Sequence, residues 1–106
     1  MMLEPDKYKR VWQDGRVQGL ADIAAGRPKF YWNTRSFWGE FMTTLFAERF
    51  RVTVEHVGCI TTEHKSIFEA GYNRATADHI DAIFGTGAYQ ATLDEVQKHR
   101  LEVYKR

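Results

Sequence analysis

Between Phe37 and Phe50 the chain places Phe37, Trp38, Phe41, Met42, Leu45, Phe46 and Phe50 at spacings dominated by three and four residues. That pattern predicts a helix with one wide apolar face, capped at Ser36, with Glu40 in its early turns. Its other face, Glu40, Thr43, Thr44, Ala47 and Glu48, is polar or small. If its five aromatics each bury about 200 Å² at ~25 cal/mol per Å², they contribute on the order of 25 kcal/mol. Ordering about fifteen residues costs a similar sum at ~1.5 kcal/mol each, so this helix can organise a core.

The remainder of the chain is consistent with one small domain over residues 1–106. The chain has 106 residues, 15 Lys+Arg against 14 Asp+Glu, a net charge of +1 and 14% aromatic residues. A chain of this size supports one core and not two. Its seven Phe, three Trp and five Tyr supply much of what that core contains. The lone cysteine, Cys59, excludes an internal disulfide and a four-cysteine zinc scaffold, and points to a reducing, cytoplasmic setting. The opening Met1-Met2-Leu3-Glu4-Pro5-Asp6 shows no basic stretch followed by an apolar run, and no segment approaches the ~18 apolar residues of a membrane span. Neither secretion nor membrane association is expected. Balanced charge also disfavours a protein that works by wrapping nucleic acid.

Further helices are expected on either side. Residues 6–25 carry an incomplete stripe of Tyr8, Val11, Trp12, Leu20, Ile23 and Ala24, weakened at Gly15 and Gly19, so Asp14-Gly15 is a candidate break. Gly26 followed by Arg27-Pro28 is a stop signal. Residues 61–85 read as helix from a cap at Thr61 or Thr62, with an interruption near Gly71-Tyr72-Asn73 and an end at Gly85. A last helix follows Thr86 or Gly87 and carries Tyr89, Leu93, Val96, Leu101 and Tyr104. Asp94 and Glu95 lie early in it and Lys98, His99, Arg100, Lys105 and Arg106 late, as the helix dipole favours.

Residues 51–57 admit two readings. As a strand, Val52, Val54 and His56 share one side, and the natural partner is Lys29-Phe30-Tyr31-Trp32, giving a parallel βαβ unit across the aromatic helix. Alternatively, Phe46, Ala47, Phe50, Val52, Val57 and Ile60 fall at the buried spacing of a helix-turn-helix, with Thr53 as the cap of its second helix. On these residues the stretch 43–62 resembles that motif, which implies an all-α fold with a helix pair at 36–62. It departs from the motif at Arg51, where a glycine is usual, and at Gly58. The outward residues Glu55, His56, Cys59 and Thr62 offer no cation to a phosphate or base.

The densest polar-aromatic stretch is Arg27-Pro28-Lys29-Phe30-Tyr31-Trp32-Asn33-Thr34-Arg35, with no acid between Asp22 and Glu40. In an extended segment Tyr31 points away from Phe30 and Trp32, so a second surface has to cover it. Arg27, Tyr31, Trp32, Arg35, Trp38 and Tyr72 are therefore the candidate ligand or interface residues. Other constellations have plainer structural readings. His56, Cys59 and His64 match no strong zinc spacing, with His79 elsewhere. Cys59 with a histidine base lacks a recognisable third group. Asp78 and Asp81 read as the wet face of a helix, and Gly85-Thr86-Gly87 as a helix stop and restart without a phosphate loop's lysine.

The expected fold is α+β and mainly helical, with four to five helices and at most a small two-stranded sheet. The expected role is a non-catalytic cytosolic interaction or assembly module that self-associates through an aromatic surface around residues 30–38, without cofactor or metal. A small-molecule binding protein with an aromatic-lined cleft is the alternative. Weak nucleic-acid binding is the third reading.

Overall fold

The structure is a computed structural model, and it describes residues 4–32, 38–57 and 62–104. Four helices and two strands follow in the order α1 (Pro5–Ala24), β1 (Lys29–Trp32), α2 (Trp38–Phe50), β2 (Thr53–His56), α3 (Glu63–Phe84) and α4 (Ala88–Tyr104). The fold is mainly helical α+β, with a two-stranded parallel sheet. No described helix is long and apolar enough to cross a membrane.

The local signals explain most of the boundaries. Pro5 opens α1, where its missing N–H costs nothing, and Asp6 sits in the first turn. Gly26, at φ 76°, takes the left-handed conformation after α1. Thr62 caps α3 by accepting the Lys65 N–H at 3.1 Å. Helix α2 stops differently, because Arg51 is the one described non-glycine residue at positive φ, 56°. Its N–H closes on the Ala47 carbonyl at 3.1 Å, an αL cap made without glycine. Ser36 and Phe37, expected at the start of α2, lie outside the described residues.

The βαβ reading holds, and the helix-turn-helix resemblance does not. Residues 53–56 are extended and pair in parallel with residues 29–32, Lys29 opposite Thr53 and Trp32 opposite His56. The all-α alternative fails because Val52 and Val54, two residues apart, are both buried on one side of a strand, 0% and 5% exposed. Phe30, Met42, Phe46, Phe50, Val52, Val54, Ile80 and Val96 form the core. Phe30 lies 5.2 Å from Phe46 of α2 and 5.7 Å from Tyr89 of α4, centroid to centroid, so these helices cover that face of the sheet. Arg49 of α2 grips Glu95 of α4 through two hydrogen bonds of 3.0 and 2.7 Å. This forked pairing fixes the two helices on the outside.

Helices α1 and α3 overturn two expectations. Helix α1 is not split at Asp14-Gly15, and α3 runs unbroken through Gly71-Tyr72-Asn73. The glycines are contact points rather than breaks. A β-carbon on Gly15 would lie 1.9 Å from the Phe68 carbonyl oxygen, and one on Gly71 would lie 2.0 Å from that of Trp12. The backbones touch, and this close packing offsets the poor helix propensity of glycine. The buried stripe of α1 is consequently Val11, Gly15 and Gly19, while Tyr8 and Leu20 of the expected stripe are exposed.

Helix propensity alone would have Gly71→Ala stabilise the chain by about 1 kcal/mol. The contact with Trp12 reverses the sign, and a loss of about 1–3 kcal/mol is expected from the urea midpoint at constant slope. A gain in stability would show that the two helices do not touch at this point.

Candidate functional site

The second face of the sheet carries the charge. Strand alternation sends Phe30 and Val54 into the core and Lys29, Tyr31, Thr53 and Glu55 to the opposite side. Tyr31 is half-buried there, its ring meeting that of Tyr72 edge-on at 4.9 Å. Tyr72 is fully buried, and its hydroxyl donates to Asp22 Oδ2 near the end of α1. Lys29 Nζ lies 3.9 Å from Asp22 and 3.7 Å from Glu55, and 5.7 and 5.9 Å from the centroids of the Tyr31 and Tyr72 rings. One ammonium thus links α1, both strands and the aromatic pair.

Backbone pairing makes the two edges of the sheet unequal. Thr53 N–H donates to the Pro28 carbonyl at 3.1 Å and Val57 N–H to that of Trp32 at 3.0 Å. In a parallel ladder of this register the polar groups of Lys29 and Tyr31 therefore point away from β2, and those of Val54 and His56 point away from β1. On the β1 side α3 meets them. The Asn73 side-chain oxygen accepts the Tyr31 N–H at 2.8 Å, and its amide nitrogen donates to the Tyr31 carbonyl at 2.8 Å. Thr76 Oγ1 donates to the Lys29 carbonyl at 2.6 Å. Among the described residues nothing hydrogen-bonds the backbone of Val54 or His56 on the β2 side.

The ionisable groups respond to this packing. The Tyr72 hydrogen bond is the largest influence holding the Asp22 carboxyl below its ordinary value, with Gln18, Lys29 and Arg27 adding to it against burial. Burial, then the Asp22 carboxylate, drives the Tyr72 hydroxyl far above the usual tyrosine value, so it stays a proton donor. Burial also raises Tyr31, against the pull of Lys29. Glu69, one turn before Tyr72, is 9% exposed, and its Oε2 has no hydrogen-bond partner. Burial pushes its carboxyl up, opposed by Lys65 and reinforced by Glu55.

Of the six candidate residues, Arg27, Tyr31 and Tyr72 come to one side of the molecule. Arg27 lines a cavity of about 230 Å³ with Asp22 and Lys29. Trp32 faces the other way, its ring 6.3 Å from that of Phe30. Arg35 and the side chain of Trp38 lie outside the described residues. Tyr31 is covered by its own chain, through α3. Sequence reasoning missed Asp22, Lys29, Glu55, Glu69 and Asn73 as members of this cluster. The usable signal was Asn73-x-x-Thr76, two short polar side chains one turn apart on a helix that passes a strand.

The other constellations have structural partners. Asp78 takes Arg16 at 3.0 Å and Arg74 at 2.8 Å. Asp81 accepts the Tyr89 N–H at 3.0 Å and so caps α4, placing a carboxylate where the Gly85-Thr86-Gly87 turn would have met an anion. His56 shares a 2.8 Å hydrogen bond with Thr43, and His64 is exposed. Cys59 lies outside the described residues, and among those described no three histidine, cysteine or acidic side chains group as metal ligands. Comparison with protein-family models, with curated proteins and with solved structures returns no match.

Two substitutions read out the cluster. Tyr72→Phe is expected to cost about 1–2 kcal/mol at neutral pH. Because the Asp22 carboxyl is lowered in the folded state, that cost holds above its ordinary value near 3.8 and shrinks as pH falls through the lowered range. Glu69→Gln has the opposite sign. A raised carboxyl is penalised when ionised, so the glutamine variant is expected to be more stable at pH 7 by about 1 kcal/mol, and to lose that advantage as pH falls toward the ordinary value of 4.5. Thermal unfolding of both variants across this range checks the two signs.

Proposed function

We propose that this chain is a non-catalytic assembly module of the cytosol that associates with a second copy of itself on the sheet side of the molecule. The observation that carries this reading is the unequal pair of edges. An open strand edge is a template for another strand, and two strands are fewer than an independent sheet normally needs. The residues of β2, Thr53, Val54, Glu55 and His56, include neither the proline nor the lysine that commonly protect an edge. Exposed Glu55 and His56 lie on this strand and supply the polar surroundings usual at an interface rim.

The charged cluster supports assembly better than chemistry. Lys29 is flanked by two carboxylates, and Tyr72 is held as a donor, so neither is set up as a nucleophile or base. A small-ligand role for this cluster draws less support, because the cavity beside Lys29 is about 230 Å³, whereas small-molecule sites usually start near ~300 Å³. The basic stretch around Arg27 gives little support to nucleic-acid binding, since Lys29 is already paired.

Sedimentation equilibrium of the full chain tests the reading. The interface offered is small, so a weak dimer is expected, with the weight-average mass rising from 12.4 kDa toward twice that value between roughly 10 and 1,000 μM. A mass fixed at that of the monomer throughout overturns self-association.

A further inference from the structure

We infer that the groove between α2 and α4 binds a small zwitterion carrying a planar ring, the chemistry of a free aromatic α-amino acid. The groove belongs to the helices that cover the core face of the sheet, so this inference does not rest on self-association. Phe41 of α2 and Glu95, Lys98, His99 and Glu102 of α4 line a cavity of about 320 Å³. Small-molecule sites usually start near ~300 Å³, and clefts between packed helices are a common place for them. The four α4 residues recur at steps of three and four, so they share one face of the helix, and Phe41 meets that face from α2.

The walls are held by the chain itself. Arg49 forks onto Glu95 at 3.0 and 2.7 Å and reaches Thr92 at 3.3 Å. The His99 ring lies on that of Phe41, with centroids 4.0 Å apart and planes 20° from parallel. Both residues are half-buried, so part of this stack remains open to a third ring. Among the described residues the His99 ring makes no hydrogen bond, and its nitrogens keep their capacity to donate and accept at a fixed place. Groups fixed in advance spare a ligand the cost of ordering them.

Charge selects the class. The Arg49 hydrogen bond is the largest influence holding the Glu95 carboxyl below its ordinary value, and Lys98 adds a weaker pull. Lys98 and Glu102 are exposed, and among the described residues neither forms an ion pair. They stand one turn apart with the lysine first, which is the less favourable order for a helical pair of this spacing. An unpaired cation beside an unpaired anion matches a carboxylate and an ammonium carried on one carbon. Arg49 and Lys98 balance Glu95 and Glu102, so the lining gives no advantage to a ligand of net charge.

Amide NMR spectra of the full chain, followed during titration with L-tryptophan, test the site. Shifts centred on residues 95–102 and on Phe41 are expected, with a dissociation constant on the order of 1 mM. Indole lacks both charges, tryptamine lacks the carboxylate and glycine lacks the ring, and each should bind at least about fivefold more weakly. Lys98→Met and Glu102→Gln alter exposed side chains, so the remaining amide signals should keep their places. Each substitution should weaken L-tryptophan binding about fivefold. Indole or tryptamine binding as tightly as L-tryptophan overturns recognition of a zwitterion, and glycine doing so overturns the role of the ring. Shifts centred on other residues, binding that ignores both substitutions, or no shift up to roughly 20 mM overturns the site itself.

Discussion

Asn73 stands in for a third strand. Its amide offers one donor and one acceptor at the spacing of a peptide group, and both are used on Tyr31 at 2.8 Å. Buried backbone groups have to be paired, and a helix cannot normally supply that pairing because its own N–H and C=O groups are spent internally. A short amide side chain solves this, and Thr76 one turn later completes it at Lys29. The sheet therefore has one finished edge, and the difference between its edges is what separates the assembly reading from the others.

Asn73 reaches that position because α3 is anchored from behind. Gly71 lies against the Trp12 backbone, and Gly15 of α1 against that of Phe68, so at these two points α1 and α3 meet backbone to backbone. Tyr72, between the glycine and the asparagine, fills the space in front of the sheet and locks to Asp22. Three consecutive residues thus have three jobs: contact with α1, covering of Tyr31, and pairing with β1. Glu69, one turn earlier, is buried with an oxygen unpaired, a cost carried by the same stretch of helix.

This part of the fold was hardest to read from the sequence, for a physical reason. Periodicity reports side-chain burial, and the aromatic run of α2 and the alternation at Val52 and Val54 express themselves that way, while Gly26 and Gly85 announce helix ends by their positive φ. The parallel pairing of residues 29–32 with 53–56 followed from them. A buried glycine has no side chain to contribute to a pattern, so Gly15 and Gly71 looked like weaknesses in a helix rather than its closest contacts. Arg51 ends α2 with a left-handed backbone where a glycine would have announced the turn. In the site, the orientation of Tyr31 was legible from strand alternation, but its covering was not. That depended on Asn73 and Tyr72, forty-two residues from Tyr31 for the asparagine, and no local rule connects such positions.

The near-neutral composition acquires a meaning from this geometry. At a net charge of +1, the self-association proposed above would meet no long-range repulsion, and screening confines what remains to about 8 Å. What charge can decide is then confined to neighbours a few ångströms apart, such as Lys29 and Glu55 at 3.7 Å, and Glu55 is the one acidic residue in β2.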